Sequence, residues 1–348
     1  MAASTARQPI GVALIGAGMI AKIHVAALSA AQDVARLKAV VSRRPERARP
    51  LAALYEGAAP DFTADLSAIA ADPSIRMAIV ATPPDARREV VETLAKTGTH
   101  ILLEKPVGRS LGEAREVVEI CERAGVTLGI MFQHRARPPS LAAARHVASG
   151  ALGQLGLVEI AVPLWRDQSY YDELGRGSYA RDGGGVMITN AIHSIDLAFS
   201  LTGPVTSVRS MTATTPLHRM EAEDFAVAGL RFACGAVGSL VAGTAMYPHR
   251  TEVIRPHFAQ ASLKIDKDEL EISWRDGRRD VEAASGPAGD GALGARHAWH
   301  QAMIEDFIEA IQSGRKPMVT GREALISHRL IEAIETSSRT GGLVELDC

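Results

Sequence analysis

A lysine and a histidine far apart in the chain are the residues best suited to move a proton. Lys105 stands in Glu104-Lys105-Pro106 directly after an apolar run, and His193 follows a triplet of glycines. A lysine beside a nicotinamide ring can accept or donate the proton of a hydroxyl group. The positive charge on the ring of an oxidised cofactor would lower the pKa of this lysine toward the range in which it can exchange a proton. The two residues therefore suggest the acid–base pair of a nicotinamide-dependent oxidoreductase.

A glycine-rich turn near the start of the chain predicts the nucleotide site. Gly16-Ala17-Gly18-Met19-Ile20-Ala21 follows the apolar run Val12–Ile15 and opens a helical stretch, which is the context that G-x-G-x-x-A requires. The first glycine makes the tight turn, and the second lets the backbone approach the pyrophosphate at the helix N-terminus. We predict Gly16, Gly18, Met19 and Ile20 as cofactor contacts.

The residues after the second strand bear on which cofactor is preferred. Val40-Val41 runs into Ser42-Arg43-Arg44, without the acidic side chain that would hold the ribose 2′-hydroxyl of NAD. Arginines at this place can bind the 2′-phosphate of NADP by charge-assisted hydrogen bonds, although they could also be solvated loop residues. The sequence favours NADP over NAD, with Ser42, Arg43 and Arg44 as contacts.

The predicted secondary structure differs between the first third of the chain and the rest. The first third alternates short strand-like runs with helical patterns, which predicts an α/β Rossmann domain with a doubly wound parallel sheet over residues 1–132. Strand-like runs then follow one another, which predicts an α+β domain with a mainly antiparallel sheet over residues 133–348. Helical patterns are Gly185 to Ser200, His297–Ile311 and Glu323–Ser338, and Ser285–Ala295 is a glycine-rich loop. The predicted strands are Gly11–Ile15, Leu37–Val41, Met77–Ala81, His100–Leu103, Val126–Ile130, Gly156–Trp165, Val205–Thr214, Asp224–Phe232, Ala236–Met246, Ala259–Ile265 and Glu269–Trp274.

Further cofactor contacts are expected where other strands of the parallel sheet end. Ala81-Thr82-Pro83 ends the third main strand, Glu104-Lys105 ends the next, and Gln133 follows the last. In an open α/β sheet the ligand crevice lies outside the carboxyl ends of the strands. We therefore predict Ala81, Thr82, Pro83, Glu104, Lys105 and Gln133 near the cofactor.

The ordered set of motifs resembles the Gfo/Idh/MocA oxidoreductase family. The resemblance implies a Rossmann domain plus an open-faced, mainly antiparallel sheet domain, usually oligomerising through that sheet into a homodimer or homotetramer. It also implies Lys105 and His193 as acid–base residues, Glu104 and Thr82 lining the cofactor, and a cis peptide before Pro106. The matching residues are Gly16–Ala21 with His24, Ala81-Thr82-Pro83, Glu104-Lys105-Pro106, Gly183-Gly184-Gly185 with His193 and Asp196, and Asp306-Phe307 with Gly321 and Glu323-Ala324.

Two departures from the family pattern bear on the substrate. Many sugar-oxidising relatives have an aspartate four residues before the histidine, and this chain has Thr189 there, followed by Asn190. A hydroxyl can orient a substrate oxygen but carries no negative charge, so we expect Thr189 or Asn190 to position the substrate. Arg87 replaces the family histidine after the Thr-Pro turn. Asp196 is expected to orient His193.

Aromatic and basic residues in one polar segment could bind the substrate. Trp165, Arg166 and Tyr171 lie between the first strand of the second domain and Gly183. Such side chains hydrogen-bond polyhydroxylated or carboxylated molecules, although the segment could equally be an interface or a lid. His297, Trp299 and His300 head a helix, and their spacing favours a structural role.

Bulk properties exclude several classes of protein. A formal net charge of -2 gives no reason to expect nucleic acid or an anionic membrane as partner, and no run reaches the roughly 18 apolar residues of a membrane span. Cys121, Cys234 and Cys348 have no metal or disulfide spacing and fit a reducing, cytoplasmic location. Too few ligand-type residues gather to predict a metal.

These features favour an NADP-preferring dehydrogenase or reductase, with NAD as the alternative cofactor. Its small-molecule substrate would be an alcohol or carbonyl of a sugar, a polyol or a carboxylated cyclic diol, bound by Lys105, Trp165, Arg166, Tyr171, Asn190 and His193. Two alternatives stay open: a redox-assisted glycosidase that retains NAD, and a non-catalytic dinucleotide-binding sensor. Retention of both Lys105 and His193 argues against the sensor.

Overall fold

The computed structural model describes residues 8–283 and 296–347, and these residues form two compact units. One unit comprises residues 8–107, 115–133 and 296–322. The other comprises residues 108–114, 134–283 and 323–347. The predicted loop Ser285–Ala295 lies outside the described residues. Among the described residues, no helix is both long and apolar enough to cross a bilayer.

The elements of the first unit alternate strand and helix, as the sequence predicts. Two 3₁₀ helices, Arg49–Leu54 and Pro84–Ala86, interrupt the alternation, and a third follows at Gln133–Ala136 in the chain. The strands are β1 (Ile10–Ile15), β2 (Ala35–Val41), β3 (Asp61–Thr63), β4 (Ile75–Val80), β5 (His100–Leu103) and β6 (Leu128–Ile130), and the helices are α1 (Ala21–Ala30), α2 (Pro45–Ala48), α3 (Leu66–Ala71), α4 (Arg87–Lys96) and α5 (Leu111–Ala124).

The six strands pair in the order β3-β2-β1-β4-β5-β6, and every pairing is parallel. The order reverses between β1 and β4, which makes this the switch point of a doubly wound sheet. All six residues of β1 are buried, because helices cover both faces of a parallel sheet. Gly98 and Gly125 end α4 and α5 with φ values of 80° and 68°, as expected for C′ glycines.

The second unit contains the remaining strands and most of the later helices. A π-helix at Met187–Ala191 directly precedes the α-helix Ile192–Thr202. The sequence predicts a single helix from Gly185 to Ser200 over this stretch. The strands are β7 (Leu155–Pro163), β8 (Val205–Ala213), β9 (Phe225–Phe232), β10 (Val237–Gly243), β11 (Val253–Phe258), β12 (Ala261–Ile265), β13 (Glu269–Trp274), β14 (Arg279–Ala283) and β15 (Val344–Glu345), and the helices of this later part of the chain are α6 (Pro138–Ala148), α7 (Gln168–Tyr171), α8 (Ile192–Thr202), α9 (Arg296–Ser313) and α10 (Gly321–Thr340).

These nine strands form one sheet in the order β14-β13-β12-β11-β7-β10-β9-β8-β15. Within the described part of this nine-stranded sheet, only the β7–β10 pairing is parallel, so the expectation of a mainly antiparallel sheet is confirmed. One face of the central strands is buried, and Ile160 and Leu240 lie on it. The other face exposes Leu157 and Val237, which are direct neighbours across the strands.

Helix α9 belongs with the parallel sheet, although the sequence analysis assigns all residues after 132 to the second domain. Phe307 is 1% exposed, and its ring lies over the backbone of Gly129 in β6, where a Cβ atom would come within 2.6 Å of it. Thr320 forms a bridge to the same glycine, and Ile130 donates a backbone hydrogen bond to Val319 at 3.1 Å. The chain returns to the first unit because β6 offers an apolar surface there.

We predict that Phe307→Ala lowers the free energy of unfolding by about 3–5 kcal/mol, because it removes a buried ring and leaves a cavity that no other side chain fills. Denaturant unfolding checks this loss. Leu217→Ala is the control, since Leu217 is 60% exposed and its truncation should cost less than about 1 kcal/mol. Equal losses in the two variants would contradict the role of Phe307.

Candidate active site

The predicted cofactor residues lie at one edge of the parallel sheet. Gly16 follows β1, Ser42 follows β2, Thr82 follows β4, Lys105 follows β5 and Gln133 follows β6. Backbone hydrogen bonds continue the ladder into these segments: Gly16 N donates to Val41 O at 2.8 Å, and Ala81 N donates to Ile15 O at 2.8 Å. The strand ends therefore hold their side chains in one row.

The first turn has the geometry that a pyrophosphate requires. Gly16 has a φ of 105°, and a Cβ atom there would lie 2.8 Å from the carbonyl oxygen of Ala81. Gly18 would place a Cβ in open space, with nothing within 4 Å. Met19 is 79% exposed. The turn thus packs tightly against β4 on one side and leaves its other side open to a ligand.

Two buried polar atoms in this row have no hydrogen-bond partner within the described chain. They are Oγ1 of Thr82 and Oε1 of Gln133. A buried polar group without a partner costs free energy unless a ligand or water satisfies it. These atoms, together with the open Gly18 turn, fit a bound nicotinamide dinucleotide.

Arg43 and Arg44 are exposed at the carboxyl end of β2, next to the strand that carries the glycine turn. Among the described residues neither has a carboxylate oxygen within 4.0 Å. The backbone here is ordered by Ser42, whose N–H donates to Thr63 O at 2.9 Å and whose Oγ accepts from Arg44 N at 3.3 Å. Both guanidinium groups are available to an anion.

Glu104 is the centre of a buried charge network. His24 Nε2 lies 2.8 Å from its Oε1, and His300 Nε2 lies 4.0 Å from the same oxygen. Its Oε2 accepts from the backbone N–H of Lys105 at 3.2 Å. Burial would raise the pKa of Glu104, but the hydrogen bond and charge of His24, with smaller contributions from His300 and Lys105, lower it to about 2.

His24, Glu104 and His300 are also close enough to hold a metal ion, since their ligand atoms all lie within 4.8 Å of one another. The sequence analysis predicts no metal and assigns His300 a structural role. We interpret the cluster as a hydrogen-bond network, because Nε2 of His24 already bonds the carboxylate. The sequence offered no signal for it, since His300 is 196 positions from Glu104.

Arg87 joins the loops after β4 and β5. Its Nε donates to the carbonyl oxygen of Thr82 at 3.0 Å, and its Nη2 donates to that of Lys105 at 3.2 Å. Burial lowers its pKa to about 10, partly offset by Glu104 and Asp85, so the group remains charged near neutral pH. The predicted cis peptide between Lys105 and Pro106 is confirmed. Arg87 therefore fixes the backbone that carries Lys105.

In the second unit, a buried carboxylate holds the start of the segment that leads to His193. Glu223 is 5% exposed and accepts hydrogen bonds from the N–H groups of Gly185 and Met187, both at 3.0 Å. A Cβ atom at Gly185 would lie 1.7 Å from the carbonyl oxygen of Glu223, so only glycine fits there. This contact explains the third glycine of the triplet, and sequence analysis missed Glu223.

Thr189 and Asn190 lie half-buried in the π-helix that follows. The hydroxyl of Thr189 donates to the carbonyl oxygen of Gly185 at 2.6 Å and lies 3.0 Å from Oδ1 of Asn190. A hydroxyl has one proton, and here the carbonyl oxygen of Gly185 accepts it. The hydroxyl oxygen of Thr189 can therefore offer a substrate only its lone pairs, as an acceptor.

His193 is buried, and its ring stacks on that of His134, with centroids 4.4 Å apart and planes 23° apart. Nε2 of His134 contacts Nη2 of Arg137, which donates to Glu252 at 2.9 Å. The sequence analysis expects Asp196 to orient His193. In the structure its carboxylate accepts two hydrogen bonds from Arg135, both at 2.7 Å.

The aromatic segment forms a cluster of its own. Tyr171 Oη lies 2.6 Å from Oγ1 of Thr244, and burial raises the pKa of Tyr171 to about 12. Tyr170 lies between two guanidinium groups, those of Arg166 at 5.5 Å and Arg176 at 4.8 Å from its ring centroid. Trp165 donates from Nε1 to Asp167 at 3.1 Å. The structure brings the predicted residues 165, 166 and 171 together.

Two family models match the chain in succession. A model described as an oxidoreductase family with an NAD-binding Rossmann fold matches residues 10–132, and the GFO/IDH/MocA C-terminal domain matches residues 140–264. Both matches fall on the units described above.

Named relatives match nearly the whole chain. D-apiose dehydrogenase of Paraburkholderia graminis is 29% identical, covering 96% of this chain and 89% of its own. Scyllo-inositol 2-dehydrogenase (NAD(+)) of Bacillus subtilis is 26% identical, covering 96% of each. The WlbA dehydrogenase from Bordetella pertussis, solved in complex with NADH and UDP-GlcNAcA, is 28% identical with a TM-score of 0.83, covering 98% and 99%.

The carboxylate of Glu335 should make stability depend on pH. Burial, followed by the charges of Glu223 and Glu332, raises its pKa from 4.5 to about 7. A group whose pKa is raised on folding binds protons more tightly in the native state, so stability falls as pH rises from about 4.5 through 7. Glu335→Gln should remove this loss and increase stability at pH 8 by about 1–2 kcal/mol.

Denaturant unfolding between pH 5 and pH 8 measures this effect. Glu345→Gln is the matched control, since Glu345 is an exposed glutamate of the same unit whose charge does not act on Glu335. A Glu335→Gln variant that follows the pH dependence of the unmodified protein would contradict the assignment.

Proposed function

This chain belongs to the Gfo/Idh/MocA oxidoreductase family and is an NAD(P)-dependent dehydrogenase, and we propose that it oxidises or reduces an alcohol–carbonyl pair of a sugar-type substrate. The proposed substrates are sugars, polyols and carboxylated cyclic diols. The observation that carries the proposal is the row of strand ends in which Lys105 follows the glycine turn and Thr82, with its backbone held by Arg87 and Glu104.

We propose Lys105 and His193 as the residues that handle the hydroxyl proton. The cofactor supplies the hydride acceptor or donor when it is bound. Glu104 accepts a hydrogen bond from the backbone N–H of Lys105 at 3.2 Å, so it helps to fix the backbone that carries this side chain. His193 is buried against His134, which restricts its ring to one orientation. The two side chains would exchange the hydroxyl proton with the substrate.

Thr189 and Asn190 would position the substrate in place of the aspartate found in many relatives. The amide of Asn190 offers both donor and acceptor atoms, whereas Thr189 offers acceptor lone pairs because its proton goes to Gly185. Trp165, Arg166 and Tyr171 would complete the substrate contacts. Since position 189 carries no carboxylate, we propose Lys105 or His193 as the basic group in the reaction.

We propose NADP as the preferred cofactor. Support comes from Arg43 and Arg44, which are exposed after β2 and have no carboxylate partner among the described residues. The family model is NAD-binding, and one relative is named for NAD(+), so NAD is the alternative.

We also propose a homodimer or homotetramer formed through the nine-stranded sheet. Its exposed face carries Leu157, Val237 and Met211, which are 40%, 48% and 55% exposed. Large apolar side chains gathered on one open sheet face favour association with a second copy.

Lys105→Met should lower kcat by about 10²–10⁴-fold while the Kd for NADPH changes less than about threefold, because proton transfer is lost and the nucleotide contacts remain. Steady-state kinetics with a panel of sugars and polyols, together with cofactor-fluorescence titration, measures both. Lys96→Met is the control, since Lys96 is exposed on α4. Loss of NADPH binding without a separate catalytic defect would remove the proposed role.

Arg43→Ala should weaken NADPH about 10–100-fold and NADH less than about threefold, because only the 2′-phosphate forms a charge-assisted bond with it. Arg47→Ala is the control for general loss of positive charge, as Arg47 is exposed nearby on α2. Equal losses for the two cofactors in Arg43→Ala would exclude the proposed preference.

A further inference from the structure

Arg166 is held in place on both sides of its backbone. Its N–H donates to the carbonyl oxygen of Thr244 at 2.9 Å, and its own carbonyl oxygen accepts from Nε2 of His218 at 2.9 Å. His218 is fixed in turn by Asp224, whose Oδ2 lies 2.7 Å from Nδ1. The backbone position of Arg166 is therefore fixed, and a residue that recognises a ligand needs such a rigid support.

The guanidinium group of Arg166 is poorly satisfied within the protein. Its Nε is inaccessible to solvent and has no acceptor among the described residues, and its Nη1 reaches only the carbonyl oxygen of Trp165 at 3.5 Å. No carboxylate oxygen of the described chain lies within 4.0 Å of it. Since a guanidinium has five N–H donors, this side chain keeps most of its hydrogen-bonding capacity.

The acidic groups of the same segment are already engaged elsewhere. Asp167 accepts from Trp165, and both oxygens of Asp224 accept from Thr215. Glu173 pairs with Arg176 at 3.0 Å and with Arg181 at 2.7 Å. Arg176, the other cation on the Tyr170 ring, is therefore paired with a carboxylate, whereas Arg166 has no carboxylate partner among the described residues.

A short chain of hydrogen bonds links Arg166 to the segment before His193. Thr244, which accepts from Arg166, donates its own N–H to the carbonyl oxygen of Asp224 at 2.8 Å. The preceding residue, Glu223, accepts from Gly185 and Met187 at the start of the π-helix. Arg166 is thus linked through Thr244 to Asp224, and the segment that contains Thr189 is linked to Glu223. These two anchoring residues are adjacent and buried, and they directly precede β9.

We infer that the substrate carries a carboxylate group and that Arg166 binds it, an inference that rests on the proposed function of this site. The planar fork of a guanidinium matches a carboxylate with two parallel hydrogen bonds. Tyr171 stays neutral because burial raises its pKa to about 12, so it adds a hydrogen-bonding group without opposing the negative charge.

The test compares matched pairs of neutral and acidic sugars: D-glucose with D-glucuronate, and D-galactose with D-galacturonate. For the unmodified protein we expect kcat/KM to be at least about tenfold higher for the uronates. Arg166→Gln should lower kcat/KM for the uronates about 10–100-fold, mainly through KM, and the loss for the matching neutral sugars should be at least about tenfold smaller. Arg166→Lys should lie between the two.

Arg275→Gln is the matched control, because Arg275 is an exposed arginine of the same unit, directly after β13 and outside the segment that holds Arg166. Binding of each sugar to the NADPH complex, measured by calorimetry, separates the two proposals. Uronate binding that depends on Arg166 without any turnover supports the carboxylate site and counts against the proposed reaction. Equal losses for neutral and acidic sugars in Arg166→Gln, no preference for uronates, or no uronate binding would each overturn the inference.

Discussion

Parallel strands end at a common edge, and the first unit depends on this constraint. A hydrogen-bonded parallel ladder aligns the carboxyl ends of β2, β1, β4, β5 and β6, so residues scattered over more than a hundred positions come into one row. Loops at those ends can vary without disturbing the ladder. The glycine turn, the Thr82 loop and Lys105 are therefore placed by the sheet and need few contacts of their own.

What the ladder does not supply is local rigidity, and buried charges supply it. Arg87 donates to the backbone of the loops after β4 and β5, and Glu104 accepts from Lys105 N–H while it binds His24. Removing His24 would leave the buried charge of Glu104 without its nearest partner, which is costly. Arg87 stands where the family pattern has a histidine, and it joins two strand ends.

The second unit uses the same device with different residues. Glu223 and Asp224 are consecutive and almost fully buried, at 5% and 0% exposed. The first holds the N–H groups at the start of the π-helix, and the second holds His218 and Thr215. One point of the chain therefore anchors both the residues before His193 and the backbone of Arg166.

The sequence by itself determined the fold class, the glycine turn and the strand ends, because local spacing and periodicity encode each of them, and its resemblance to a known family implied the cis peptide before Pro106. It missed the strands β3, β11, β14 and β15 and the helices α3, α6 and α7. Strands β3 and β15 have only three and two residues, and β11 contains Pro256, which weakens a strand pattern. It also could not show that α9 packs on β6, that His300 approaches Glu104, or that Glu223 holds the Gly185 turn. Those contacts join positions far apart in sequence, and only the packing of apolar surfaces and the pairing of buried charges decides them.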